Sequence, residues 1–261
     1  MIRGTFSVGH YKYPAGNMSS PPCDRGLVQR ASARYGRAMV VIPVLYSFRR
    51  CPYAMRARMA LAAAATPVAL REVLLKEKPA ELIAASPKAT VPVLVLQNGT
   101  VIEESLEIMR WALDQNDPLL WAPDEDALCY WVTRCDGEFK HWLDRYKYAD
   151  RYPEKSSEYY RNSAEQFIRS LESALEASSW MGGPRQTLVD IAIFPFVRQF
   201  AAVDPTWWQT SPYPMTRRWL DHWLDTRLFS AVMKKFPRWT PEMLDEQFPP
   251  ATDNINATVA H

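Results

Sequence analysis

Short apolar blocks alternate with helical patterns up to about residue 116, and from residue 125 onward only helical patterns follow. Residues 39–48 read MVVIPVLYSF. Because Pro43 cannot donate to a sheet ladder, strand pairing is expected at or just after it, over 44–48. An alanine-rich helix is expected from Pro52 to Ala65, stopped by Thr66-Pro67. Branched residues in 68–75 (VALREVLL) predict a second strand, pairing parallel with the first across the helix in a right-handed βαβ unit. A short helix at 79–85, a third strand at 91–96 and a fourth at 100–103 follow. Asn98-Gly99 between those two strands is a strong hairpin signal. A helix at 105–115 completes the order β-α-β-α-β-β-α.

Beyond this unit, the proline-rich run NDPLLWAPD suggests a linker at 117–124. A long helix is expected over 125–148. Ser156 or Ser157 can cap the next one, which carries Tyr160, Phe167, Leu171 and Leu175 on one face until Gly182-Gly183-Pro184 stops it. Thr187 with Asp190 at N3 forms a capping-box variant. The helix it opens, 188–202, is apolar nearly all round, as in a bundle core, and Pro195 is expected to kink it. Helices at 213–225 and 228–235 complete the pattern. The expected architecture is therefore a small α/β domain at 41–116 followed by an all-helical bundle at 125–240 and a tail at 241–261, disordered after Phe248. Residues 1–40 lack any period and are expected to form a disordered leader. They loosely resemble an organelle transit peptide without its amphipathic helix. A translation start at Met39 is the alternative.

Composition narrows the function. Of 261 residues, 48% are apolar and 23% charged, which suits a globular chain. The net charge of +2 is unevenly placed: residues 1–40 hold six basic side chains against Asp24 alone, and the remainder carries a slight acidic excess. The basic balance therefore gives no argument for nucleic-acid binding. Cys23, Cys51, Cys129 and Cys135 are too few and scattered for a disulfide framework and fit a reducing, cytoplasmic setting, with targeting by residues 1–38 left open. No apolar run approaches the ~20 residues of a membrane span. His10, His141, His222 and His261 have no metal-ligand spacing, so no metal is expected.

Candidate chemistry centres on Cys51, at the turn from the first strand into the first helix, with Pro52 as first helical residue. Unpaired N–H groups and the positive dipole end at such a position favour thiolate, which would lower the pKa and make Cys51 a nucleophile. Against this, an isolated cysteine is more often inert packing.

The element order, with a cysteine opening the first helix and an all-helical part behind it, resembles the glutathione transferase superfamily over about residues 41–240, which implies a thioredoxin-like N-terminal domain followed by a helical-bundle domain. Cys51-Pro52-Tyr53-Ala54 is similar to the omega-type cysteine transferases and the glutaredoxins, in which the cysteine faces the glutathione sulfur. The resemblance implies glutathione as co-substrate and assigns its contacts to Pro52, Tyr53, Lys78, Val91, Pro92, Glu104 and Ser105. Within Thr90-Val91-Pro92, a cis-proline turns the Val91 N–H and C=O toward an extended peptide, which pairs as an added strand. Glu104-Ser105 at a helix start holds the γ-glutamyl end, and Lys78 meets the glycyl end. Thr187 and Asp190 match the family's folding cap. Taken singly, these are a strand, a helix cap and a solvated charge. Their order around one cysteine gives them weight.

Ala54 replaces the second cysteine of a dithiol site, so the implied chemistry is monothiol: thiol transferase or dehydroascorbate-reductase-type reduction. Cys129 and Cys135 are expected to be small buried hydrophobes rather than resolving thiols. Arg49 and Arg50 either assist electrostatically or are only a surface pair. A second substrate is expected between the domains, near Tyr130, Trp131 and Arg134. The alternatives are glutathione conjugation, with Tyr46 or Ser47 as the activating hydroxyl, and a non-enzymatic scaffold on the same fold. Intracellular chloride-channel relatives share the cysteine motif but need a membrane-inserting form. A homodimer is possible. The tyrosine and charge run at 145–161 (RYKYADRYPEKSSEYYR) has no assigned chemistry and reads by default as an exposed helix connection.

Overall fold

The computed structural model describes residues 42–250, so the expectations for the leader and for the last eleven residues lie outside the described range. Five strands form one sheet in the order β4-β3-β1-β2-β5. Strand β1 (Val44–Ser47) pairs parallel with β2 (Val68–Glu72) across helix α1 (Pro52–Ala63). Helix α2 (Ala80–Ala85) leads to β3 (Val93–Val95), which runs antiparallel to β1 and to β4 (Val101–Ile102). Asn98 and Gly99 make the β3–β4 turn, where Gly99 has φ +83° and the Asn98 side chain accepts from the Thr100 N–H at 3.0 Å. Helix α3 (Ser105–Gln115) follows. The thioredoxin-like order is as expected, with shorter strands. Strand β3 begins at Val93 because Pro92 has no N–H to pair, and β2 ends at Glu72 because the chain turns back, bridging Leu74 to Glu77.

Helix α1 has almost no exposed face. Ala54, Ala57, Ala60 and Ala62 through Ala64 are buried, and these small side chains let α3, α7 (Leu188–Ala201) and α10 (Arg227–Val232) pack closely around it. The α/β part and the helical part thus share one hydrophobic core. Trp121, in the segment between them, is only 2% exposed and meets Trp223 edge-on at 5.8 Å. The expected linker is therefore anchored: the Asp117 carboxylate accepts from the N–H groups of Trp121 and Ala122, and the Trp121 carbonyl accepts from Leu188.

The expected helical stretch over 125–148 runs unbroken to Lys147 but contains a π-helical turn (Cys135–Phe139) between α4 (Glu125–Arg134) and α5 (Lys140–Lys147). The Lys140 N–H reaches the Cys135 carbonyl, five residues back. A 3-10 turn (Ala149–Arg151) ends the run, and α6 (Ser157–Ala177) begins at Ser156, whose hydroxyl accepts from Tyr159 N–H. Gly182 passes so close to Thr187 that a Cβ there would lie 2.0 Å from its Oγ1. Thr187 and Asp190 form the expected capping box on α7 (Leu188–Ala201), which runs through Pro195 as one helix. Asp190, fully buried, also accepts from Met181 N–H and the Trp219 indole, both at 2.9 Å. Helix α8 (Pro205–Thr210), not anticipated from the sequence, is capped by Asp204 with Pro205 at its start. Helices α9 (Pro214–Asp225) and α10 (Arg227–Val232) close the bundle.

The chain then returns to the sheet within the stretch expected only to be a tail. Strand β5 (Glu246–Phe248) pairs antiparallel with β2 and covers its edge. Ahead of it, Trp239 N–H donates to the Glu72 carbonyl at 2.8 Å, and Arg71 grips Asp245 through two nitrogens at 2.8 and 3.0 Å. Arg71 also lies 4.1 Å from the Trp239 ring centroid.

Candidate functional site

Cys51 is the N-cap of α1, with extended backbone and Pro52 behind it. Its own N–H donates to Phe48 O at 3.0 Å, closing the turn, and the sulfur sits at the first turn of α1 without a side-chain cap hydrogen bond. The Val91-Pro92 bond is cis, and the thiol donates to the Val91 carbonyl at 3.6 Å. The expected lowering of the thiol pKa is not what this environment produces. Burial pushes Cys51 above its ordinary value, against the opposing pull of the Ala54 and Tyr53 N–H groups and of Arg58 and Lys140. The helix terminus acts as anticipated, but desolvation outweighs it.

Two arginines inside α1, overlooked in the sequence, set the site. Arg58, 1% exposed, donates to Ser47 Oγ, to Phe48 O at 3.4 Å and to Arg49 O at 2.8 Å, bracing the turn that carries Cys51 from beneath. Burial pushes its pKa down to about 10, which the neighbouring Glu72 carboxylate opposes. Glu72 in turn accepts from Arg49 N–H at 2.7 Å. Arg56, 2% exposed, donates through Nε to Ser105 Oγ at 3.0 Å and binds Asp136 bidentately at 2.9 and 2.7 Å. Ser105, the first residue of α3, is thus tied through Arg56 to the π turn of the helical part. The sequence signal was available: two charges at positions 5 and 7 after Cys51 in an alanine helix.

Glu104 is exposed at the α3 N-cap and paired with Lys88 at 3.0 Å. Lys78 is exposed just before Pro79, and three residues ahead of it Leu75 lines the cleft at Cys51. Ser47 is fully buried as an acceptor of Arg58, and the Tyr46 hydroxyl accepts from Arg71 at 2.8 Å. Neither lines the cleft.

That cleft measures about 540 Å³. Phe48, Arg50, Cys51 and Tyr53 form one wall, and Lys140, Asp144, Lys147 and Tyr148 the other, with Gln199 from α7. Tyr130, Trp131 and Arg134, the expected second-substrate residues, do not line it. Arg134 instead reaches the Tyr130 hydroxyl and Ser170 Oγ, both at 2.8 Å, and packs over Trp131 and Phe167. The inter-domain wall is supplied about two to four turns beyond Arg134, past the π turn. Cys135 is buried as expected, whereas Cys129 is exposed beside Thr133. A slightly larger hollow, about 620 Å³, lies near Pro43, Thr66, Leu96 and Trp111, with no titratable side chain in its lining, and so offers no comparable chemistry. Among the described residues there is no cluster of three His, Cys, Asp or Glu able to hold a metal ion, and no helix long and apolar enough to cross a membrane.

A cysteine at a helix N-terminus beside a cis-proline, in a thioredoxin-like unit joined to a helical bundle, is an arrangement that the comparisons place in a family. The glutathione S-transferase N-terminal domain model matches residues 45–121 and the C-terminal domain model residues 140–222, together more than half of the chain. The chain belongs to the glutathione S-transferase superfamily. The glutathione S-transferase GstA of Escherichia coli O157:H7 is 28% identical over 128 residues, 47% of this chain and 63% of that protein, so the match spans somewhat less than two thirds of GstA. A glutathione transferase family member from Pseudomonas fluorescens, with two glutathiones bound, superposes with a TM-score of 0.63 at 19% identity, over 76% of this chain and 95% of its own. The transferase URE2P6 from Phanerochaete chrysosporium, in complex with oxidised glutathione, gives 0.65 at 17% identity, over 74% and 95%. At these identities the solved structures speak for the fold.

Proposed function

We propose that the protein is a glutathione-dependent thiol transferase or disulfide reductase in which Cys51 is the attacking group. The observation that carries this reading is the placement of the Cys51 sulfur, at the α1 N-terminus, 3.6 Å from the Val91 carbonyl beside cis-Pro92 and open to the cleft. Glutathione lies extended along Val91, as an added strand does, with its cysteinyl sulfur at Cys51. Its γ-glutamyl end reaches Glu104, Ser105 and the α3 N-terminus, and its glycyl end Lys78. Pro52 and Tyr53 flank the sulfur. Likeness in fold to proteins holding two glutathiones, or oxidised glutathione, supports a cleft of this kind.

In the reaction, the Cys51 thiolate attacks the glutathione sulfur of a mixed disulfide R–S–S–G. The Cys51–S–S–G bond forms, the old S–S bond breaks and R–S⁻ leaves with the electron pair. A second glutathione thiolate then attacks the glutathione sulfur of the adduct, releasing oxidised glutathione and regenerating the Cys51 thiolate. With Ala54 at the dithiol position, no internal thiol stands there to intercept the adduct. In the free protein the thiol is held on the Val91 carbonyl. A peptide N–H pairing with that carbonyl displaces the thiol from it, and the thiol proton passes to solvent as the attacking thiolate forms.

One observation favours a second reading, conjugation of glutathione to electrophiles. A thiol whose pKa is raised stays protonated, and it can donate a hydrogen bond to a bound glutathione thiolate as a hydroxyl would. The two readings separate in Cys51→Ser. Glutathione-coupled reduction of a small disulfide is expected to fall at least a hundredfold in this variant. Retained conjugation of an aryl halide together with retained reduction would overturn the nucleophile assignment.

A further inference from the structure

The run of tyrosines and charges at 145–161 contributes directly to the cleft. Tyr148 lines it, just past the C-terminus of α5 and ahead of the 3-10 turn. Two cations flank its ring, with Lys147 Nζ 4.9 Å and Arg151 Cζ 4.5 Å from the centroid. Cation–π contact restrains an otherwise mobile lysine, so less freedom is lost when a ligand reaches it. Lys147 itself lines the cleft, and Arg50 stands on the opposite wall over Phe48. The lining carries three cations against one carboxylate, Asp144, and Lys140 already engages that carboxylate. Arg50 and Lys147 are exposed and have no carboxylate partner among the described residues. Phe48, Pro52, Tyr53, Leu75 and Tyr148 supply apolar wall, and the uncompensated charges on that wall are Arg50 and Lys147.

We infer that the second substrate is an anion: a disulfide whose non-glutathione half carries a carboxylate, docked between Arg50 and Lys147 with Tyr148 as the wall behind it. This rests on the reading of Cys51 as the glutathione site. A substituent on the glutathione sulfur would project from Cys51 into the space these residues line, and two exposed cations attract its charged end at short range.

The test uses unreactive thioethers. S-(3-carboxypropyl)glutathione, S-butylglutathione and S-(3-aminopropyl)glutathione are titrated calorimetrically into the full-length protein and into Lys147→Glu. The carboxylate is expected to bind the wild type about five- to tenfold more tightly than the butyl compound, and the amine more weakly than either. Lys147→Glu is expected to abolish or invert the order, and raising the salt concentration to narrow it. Equal binding of all three to the wild type would overturn the anion preference and leave the glutathione site standing. Binding of none would overturn the glutathione site, and the anion preference with it.

Discussion

The Cys51 sulfur sits between opposing influences, and their balance is measurable. Two backbone N–H groups, Arg58 and Lys140 favour thiolate, yet burial favours the thiol more strongly. Alkylation of the ligand-free protein by iodoacetamide is therefore expected to keep accelerating through pH 9, whereas a plateau near pH 7 would mean a depressed pKa. Cys129 is exposed and alkylates as well, so the profile is read on the Cys51 peptide. The places in the fold of Cys51, Pro52, Val91-Pro92 and Ser105 were legible in the sequence, the first two as a helix start and the others through the family resemblance. The direction of the thiol pKa was not. Desolvation comes from side chains distant in the chain, such as Val73, Leu82, Val91 and Val93 in the cluster that Cys51 packs against, and no local motif records them. Arg56 and Arg58 were missed for the same reason, since a charge in an alanine helix reads as surface until the helix is seen to be enclosed.

Helix α1 acts as the common support of the site, and its two arginines connect it outward. Asp136 can grip Arg56 because the chain passes through a π turn there, a feature often found where function needs a side chain re-aimed. Asp136→Ala leaves the buried Arg56 guanidinium unpaired and is expected to cost about 3 kcal/mol in denaturant unfolding. It should also raise KM for glutathione more than it lowers kcat, because the Arg56 that holds Ser105 is no longer fixed by Asp136 while the supports of Cys51 are untouched. An unchanged KM would dissociate Ser105 from binding. Asp190 adds a pH dependence of its own. Burial pushes its carboxyl up to about 6, above the ~3.9 of an unfolded chain. Between those values the folded state keeps a proton that the unfolded state has lost, so Asp190's contribution to stability is greatest below pH 4 and declines as pH rises through 6. Urea unfolding of Asp190→Asn across this range should show that slope removed. The capping box was readable from Thr187 and Asp190 alone. The π turn was not, because the aromatic pattern on either side of Gly137 continues as if the helix were regular.

At the scale of the molecule, the returning C-terminal segment holds the α/β part from the far edge of its sheet. Arg71 joins it twice, through Asp245 and through the Trp239 ring, and Tyr46 completes the contact. Arg71→Ala is expected to cost about 1 kcal/mol and lower Tm by about 2–4 °C, since the pair is partly exposed. Strand β5 escaped the sequence reading because Glu-Gln-Phe has no strand pattern of its own and pairs only where β2 offers an edge. The order of the α/β unit and the change to helix after residue 125 were legible because hydrophobic period and turn residues carry them. The shared core between the two parts was not, because it depends on α1 being buried on every side. The central claim, that Cys51 itself accepts glutathione, is tested most directly by intact-mass and peptide mass spectrometry after brief exposure to a glutathione mixed disulfide. The account predicts one glutathione on the Cys51 peptide, removed by added glutathione and absent in Cys51→Ser. An adduct confined to Cys129, or turnover that persists without Cys51, would contradict it.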